Sequence, residues 1–335
     1  MKSLISWRYV LILGSLLGLG GCNEDVDDLI GNWVEASDFE GVPRNNAVSI
    51  VIGEFAYLGT GFDGDDYLND FWRYDAANNF WTQQASFPGV ARTDAVAFAV
   101  NGKGYLGTGY DGETDQELSD FWAYDPNSDR WEQVADFGGS ARRGAVAFSV
   151  NDRGYVGTGN DGNDLKDFWE YNPLNDNWTQ VVSLGGSKRL GAFAFVINNR
   201  AFVGGGRNNG IFEDDFWEFN PEAGDLGQWI RKEDLATDDY DITREGAVAF
   251  GLSDRGYLLT GSRGAALNDV WEYNIFEDVW EEKTPLDGVS RTDAVGFVVG
   301  GIGYITTGRN SLERYDDLWA FSRIRKMMMM TNTGI

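Results

Sequence analysis

The sequence predicts an all-β fold, a six-bladed β-propeller whose last blade is closed by the amino-terminal strand. Three observations carry this prediction. An aromatic unit occurs six times at a spacing of 47 to 54 residues, the range of a four-stranded propeller blade. Each unit reads as four short strands separated by turn residues. The sixth unit lacks its outer strand, and a fragment that could supply one stands at the other end of the chain.

The unit is clearest at Asp70-Phe71-Trp72-Arg73-Tyr74-Asp75. It recurs as residues 120–125, 167–172, 215–220, 269–274 and, with substitutions, 317–322. A second tryptophan follows nine residues after the first at Trp81, Trp131, Trp178 and Trp280, and twelve residues after it at Trp229. Within the second unit, Ala95–Val100 is a short apolar inner strand, Asn101-Gly102 is a hairpin turn, and Gly104–Gly109 returns as a second strand. A third strand carries Trp122 and Tyr124 on one face, since side chains alternate with period two. Asp125-Pro126-Asn127-Ser128 then turns the chain into a fourth strand at Trp131. Both faces of a blade are covered by neighbours, so aromatic residues pointing either way suit the packing. Closure follows from spacing. Trp33 precedes Arg44 by eleven residues, as Trp81 precedes Arg92, Trp131 precedes Arg142 and Trp280 precedes Arg291. The segment around Asn32-Trp33-Val34-Glu35 therefore reads as the missing outer strand, which leaves no long exposed edge.

These residues resemble the kelch repeat, the unit of kelch propellers and of the galactose oxidase central domain. The Tyr-to-Trp spacing matches at Tyr74 and Trp81, Tyr124 and Trp131, Tyr171 and Trp178, and Tyr273 and Trp280. The usual diglycine is replaced by Thr60-Gly61, Thr108-Gly109 and Thr158-Gly159, and survives in Gly204-Gly205-Gly206. The resemblance spans about residues 30 to 322.

Ahead of the propeller, Lys2 and Arg8 precede an apolar run from Tyr9 to Gly20, too short to span a bilayer and suited to a signal peptide. Leu19-Gly20-Gly21-Cys22 resembles a bacterial lipobox, which implies lipidation at Cys22. The expected organisation is a lipoprotein signal peptide at 1–21, an acidic tether at 22–28, the propeller at 29–323 and a tail at 324–335. The expected place is the bacterial cell envelope, lipid-anchored, at the outer membrane and open to the cell surface. Acyl chains would hold the protein at the membrane.

Composition narrows the chemistry. With 53 acidic against 27 basic residues the net charge is −26, the wrong sign for a nucleic-acid partner. No histidine and a single cysteine leave no ligand set for zinc, haem or copper, no Ser-His-Asp triad and no internal disulfide. Galactose oxidase chemistry is therefore excluded, and no cofactor is expected.

Candidate site residues come from the repeat and from its irregularities. Arg44, Arg92, Arg142, Arg189, Arg244 and Arg291 each stand three residues ahead of an inner strand, which rings the channel mouth with guanidinium groups. Two roles fit: a scaffold in which each arginine bonds loop carbonyls and the recurring aspartate, or an anion site that uses the carboxylate-matching fork of arginine. The residue just before the inner strand is Asn46, Asp94 or Asp293 in three adjacent units and Gly144, Gly191 or Gly246 in the others. Loops after the second strand carry acids in the first three units and Arg207, Arg263 or Arg309 in the last three, so one half of this face reads as acidic and the other as basic. The longest unit adds Asp238-Asp239-Tyr240-Asp241, which makes Tyr240 a ligand-contact candidate. Asp63, Asp65, Asp111 and Asp161 sit in Asp-Gly stretches that could offer oxygen to calcium, without the spacing of an EF-hand.

The leading expectation is a monomeric, membrane-anchored, non-catalytic propeller that presents this loop face to a glycan or protein ligand. The enzymatic alternative resembles bacterial sialate mutarotases, which are kelch propellers; there Asp94 or Asp293 with Arg92 or Arg291 would form the acid/base pair. A purely structural envelope component is the third reading.

Overall fold

The computed structural model describes residues 32–323, among which there is no helix. The signal peptide, Cys22, the acidic tether and the tail all lie outside the described residues. Six four-stranded antiparallel sheets stand around one axis. In blade 1 the strands are Val48–Ile52, Phe55–Gly59, Phe71–Asp75 and Phe80–Gln83, from the channel outward. Inner strands of the following blades are Val96–Val100, Val146–Val150, Phe193–Ile197, Val248–Leu252 and Val295–Val299. Each touches the next, and the last touches the first, so the ring is closed.

Blade 6 is completed by the amino-terminal strand Asn32–Glu35, which runs antiparallel to Leu318–Ser322 with Asn32 opposite Ser322 and Trp33 opposite Phe321. Trp33 is buried, stacks at 4.9 Å on Phe321, and donates its indole N–H to the Thr284 carbonyl of the preceding connector at 3.3 Å. The same clasp recurs from Trp81 to Ser37, Trp131 to Ala85, Trp178 to Ala135 and Trp229 to Val182.

Inner strands alternate between residues buried against neighbouring blades, such as Val48, Ile50 and Ile52, and half-buried small residues facing the channel, such as Ser49. Blade contact is close enough that a Cβ at Gly154 of blade 3 would lie 2.1 Å from the Phe98 ring of blade 2. The residues that replace the kelch diglycine adopt left-handed backbone: Thr60, Thr108, Thr158, Thr260 and Thr307 have φ of 55° to 62°, where blade 4 places Gly205 at 62°. A β-branched residue there is strained. It persists because each carbonyl of these five threonines is held by an arginine of the adjoining connector.

Candidate functional site at the channel mouth

Each connector ends in an arginine, one variable residue, an Asn, Asp or Gly, and an alanine that opens the channel wall. The third position needs left-handed backbone: φ is 53° at Asn46 and Asp94, 61° at Gly144, 66° at Gly191, 59° at Gly246 and 58° at Asp293. Glycine, asparagine and aspartate tolerate that region best, so backbone geometry restricts the residue types found there. These six residues join in a closed circle of backbone hydrogen bonds. Asn46 N–H donates to Asp293 C=O at 2.9 Å, Asp94 to Asn46 at 3.2 Å, Gly144 to Asp94 at 3.1 Å, Gly191 to Gly144 at 3.0 Å, Gly246 to Gly191 at 3.1 Å and Asp293 to Gly246 at 2.9 Å.

The arginines of the expected ligand ring do not face the mouth. Arg44, Arg92, Arg142, Arg189, Arg244 and Arg291 are at most 1% exposed. Arg92 is representative: Nη1 and Nη2 grip Asp120 at 2.7 and 2.8 Å, Nη1 also reaches the Thr108 carbonyl at 2.9 Å, and Nε reaches Val90 O at 2.8 Å. Its guanidinium stacks over Phe87 at 4.8 Å. Arg44 pairs likewise with Asp70, Arg142 with Asp167, Arg189 with Asp215, Arg244 with Asp269 and Arg291 with Asp317. Every fork is filled by a protein carboxylate, so no anion can take it, and neither Arg92 nor Arg291 can assist Asp94 or Asp293.

Tyr240 is corrected as well. Its ring packs on Trp271 at 5.5 Å and its hydroxyl donates to Asp234 O at 3.3 Å, so it anchors the long connector and does not line the mouth. The Asp-Gly carboxylates cap their own turns: Asp63 accepts from the backbone N–H of Asp65 and Asp66 at 2.9 and 2.7 Å, Asp111 from the Glu113 backbone N–H and the Thr114 hydroxyl, and Asp161 from the Asn163 backbone N–H. They sit in three separate blades, and among the described residues no three or more acidic, histidine or cysteine side chains are grouped as metal ligands would be.

Asp94 and Asp293 do reach the mouth. They line a cavity of about 470 Å³ whose polar wall also includes Asn46, Arg143, Glu245 and Arg309. Arg207 joins them, while alanines that open the channel wall lie below. The notion of a basic half fails on pairing. Arg309 Nε bonds Asp293 at 3.1 Å, Arg207 Nε bonds Glu245 at 2.8 Å, and Arg263 is engaged by Asp241. Asp94 instead receives the Asn46 amide at 2.5 Å and the Thr93 hydroxyl at 2.9 Å.

Burial pushes the Asp293 carboxyl up to about 6, Arg309 opposing the rise and the Asp94 charge adding to it. Burial also raises Asp94 against its Thr93 and Asn46 hydrogen bonds, and raises Glu245 against Arg207. A cavity with carboxyls poised toward neutrality beside arginines can bind polar groups and can exchange protons. Arg143 and Glu245 escaped the sequence reading. They occupy the variable place between arginine and ring residue, which also holds Asn45, Thr93, Leu190 and Thr292. Variation inside an otherwise repeating connector was the signal available.

Comparison with known proteins agrees with this architecture. A profile of the KLHDC2/KLHL20/DRC7 Kelch-repeats domain matches residues 35–188. The solved structure of YjhT superposes with a TM-score of 0.71 at 17% identity, covering 84% of this chain and 95% of that one. The fold is a kelch-type propeller. At such identity the likeness to YjhT speaks for the fold alone, and no curated protein sequence matches the chain. A kelch-type propeller suits a binding or scaffold role, and in this one the mouth cavity is the place where unlike charges converge.

Proposed function

We propose that this protein is a binding propeller that takes a small polar ligand, a glycan or a short protein segment, into the mouth of its central channel. The observation that carries the reading is the 470 Å³ mouth cavity, where three carboxyls and three arginines surround a floor held in shape by the backbone ring. Acylation at Cys22 would hold the protein, as a monomer, at the bacterial envelope. Screening the chain from residue 23 onward on a glycan array tests this. Binding that falls at least tenfold in Asp94→Asn, with thermal stability no lower than the parent's, is the expected result; ligands indifferent to mouth substitutions would overturn it.

A second reading is favoured by one feature, the Asp293 carboxyl raised to about 6 beside Asp94. A group poised near neutral pH is suited to shuttling protons, as a sugar isomerase of the sialate-mutarotase type requires. Arg309 would then be its cationic neighbour. Faster anomer exchange of a reducing sugar acid by NMR, lost in Asp293→Asn, is the test.

A further inference from the structure

The mouth holds a carboxyl with no cationic hydrogen-bond donor and an arginine whose one ion pair is long. Of its three carboxyls, Asp293 is paired with Arg309 and Glu245 with Arg207. Asp94 has only neutral donors, the Asn46 amide and the Thr93 hydroxyl. Of its three arginines, Arg143 lies 3.8 Å from its nearest carboxylate, Glu117, beyond hydrogen-bond reach. Its guanidinium rests instead on the Tyr110 ring at 4.5 Å, and the side chain is 37% exposed. Asp94 and Arg143 stand on adjoining blades, and the backbone links them, since Gly144 N–H donates to Asp94 C=O at 3.1 Å. Beside them the ring residue is Gly144, where the cavity is open: a Cβ there would meet nothing closer than 3.6 Å, whereas Glu245 and Asp293 already crowd Gly191 and Gly246. Leu190 supplies an apolar wall there.

We propose that the mouth selects a small zwitterion of the amino-acid or dipeptide class. Its ammonium group sits against Asp94, its carboxylate lies on the fork of Arg143, and an apolar side chain covers Leu190 above Gly144. An anion alone would leave Asp94 unmatched, and a cation alone would leave Arg143 unmatched. A carboxylate on arginine gains paired, charge-assisted hydrogen bonds. This inference rests on the mouth being a ligand site, and goes further in naming the ligand class.

The test is calorimetric titration of the full chain with L-leucine and with Leu-Leu, which separates a single residue from a peptide. N-acetyl-leucine lacks the ammonium charge, and leucinamide lacks the carboxylate. The zwitterions should bind at least tenfold more tightly than either analogue, and Asp94→Asn and Arg143→Gln should each remove that preference. Asparagine already occupies the equivalent left-handed position at Asn46, so Asp94→Asn preserves the fold, and a melting temperature no lower than the parent's checks this. Equal affinity for charged and blocked forms, or no response to the two substitutions, overturns the proposal. No binding of either zwitterion at millimolar concentration also overturns it. If glycans still bound at the mouth, the ligand-site reading would survive that failure.

Discussion

Removing a connector arginine strands the aspartate it grips, and the cost of an uncompensated half-buried charge is large. Arg92→Met should destabilise the protein by about 3–5 kcal/mol in urea unfolding, and adding Asp120→Leu should restore part of that loss. Ligand binding by the fraction that remains folded should be unchanged, because Arg92 does not touch the cavity. The acids of the mouth and of the scaffold respond oppositely to pH. In Asp70, Asp120 and Asp167, burial is outweighed by the arginine contacts, and their carboxyls lie below the usual value. Their contribution is present above an unfolded pKa of about 3.9 and is lost as the pH falls through the lower folded value. Asp293 is raised to about 6, so its ionisation penalises the folded state as pH climbs from about 4 past 6. Asp293→Asn should therefore be more stable than the parent at pH 8, by on the order of 2 kcal/mol, and no more stable at pH 3. Thermal melts at both pH values check the sign. The requirement for Asn, Asp or Gly at ring positions is visible in the sequence as a pattern. Its cause, left-handed backbone in a closed hydrogen-bonded circle, is visible only in space.

Among elements, the strand Asn32–Glu35 decides whether the ring closes. It is four residues long, and one buried side chain, Trp33, holds it to Phe321 and to the Thr284 carbonyl. Trp33→Ala should cost about 3–5 kcal/mol. Circular dichroism melting should show the loss, and proteolysis should begin at blade 6. Spacing made this element legible, since the eleven residues from Trp33 to Arg44 repeat the distance from Trp81, Trp131, Trp178 and Trp280 to the next connector arginine. The connectors were less legible. Their arginines lie in the same register in every unit, which locates them at the mouth without saying which way the side chains turn. The register of Asp70 and its equivalents, combined with strand pairing, turns them inward and fills their forks.

At the scale of the whole molecule, alternating strand direction separates the two faces. Inner strands run away from the mouth, so third strands run away as well, and Asn32 enters beside Ser322 on the opposite face. With Cys22 acylated, the mouth would point away from the membrane. In vesicles carrying a lipid-phase quencher, a fluorophore at Leu174→Cys, in a far-face turn, should be quenched more than one at Leu312→Cys beside the mouth. Both parent residues are exposed, at 76% and 87%. Equal quenching would contradict that orientation. The sequence by itself determined the blade count, the strand order and the closing strand. These follow from local turn chemistry and aromatic spacing, which recur from unit to unit. Tertiary structure alone decided which charges are tightly paired and which are not. An arginine and its aspartate lie some 25 residues apart in the chain, and Asp94 and Arg143 belong to different blades, so only packing could pair the first two tightly and bring the second two to one cavity.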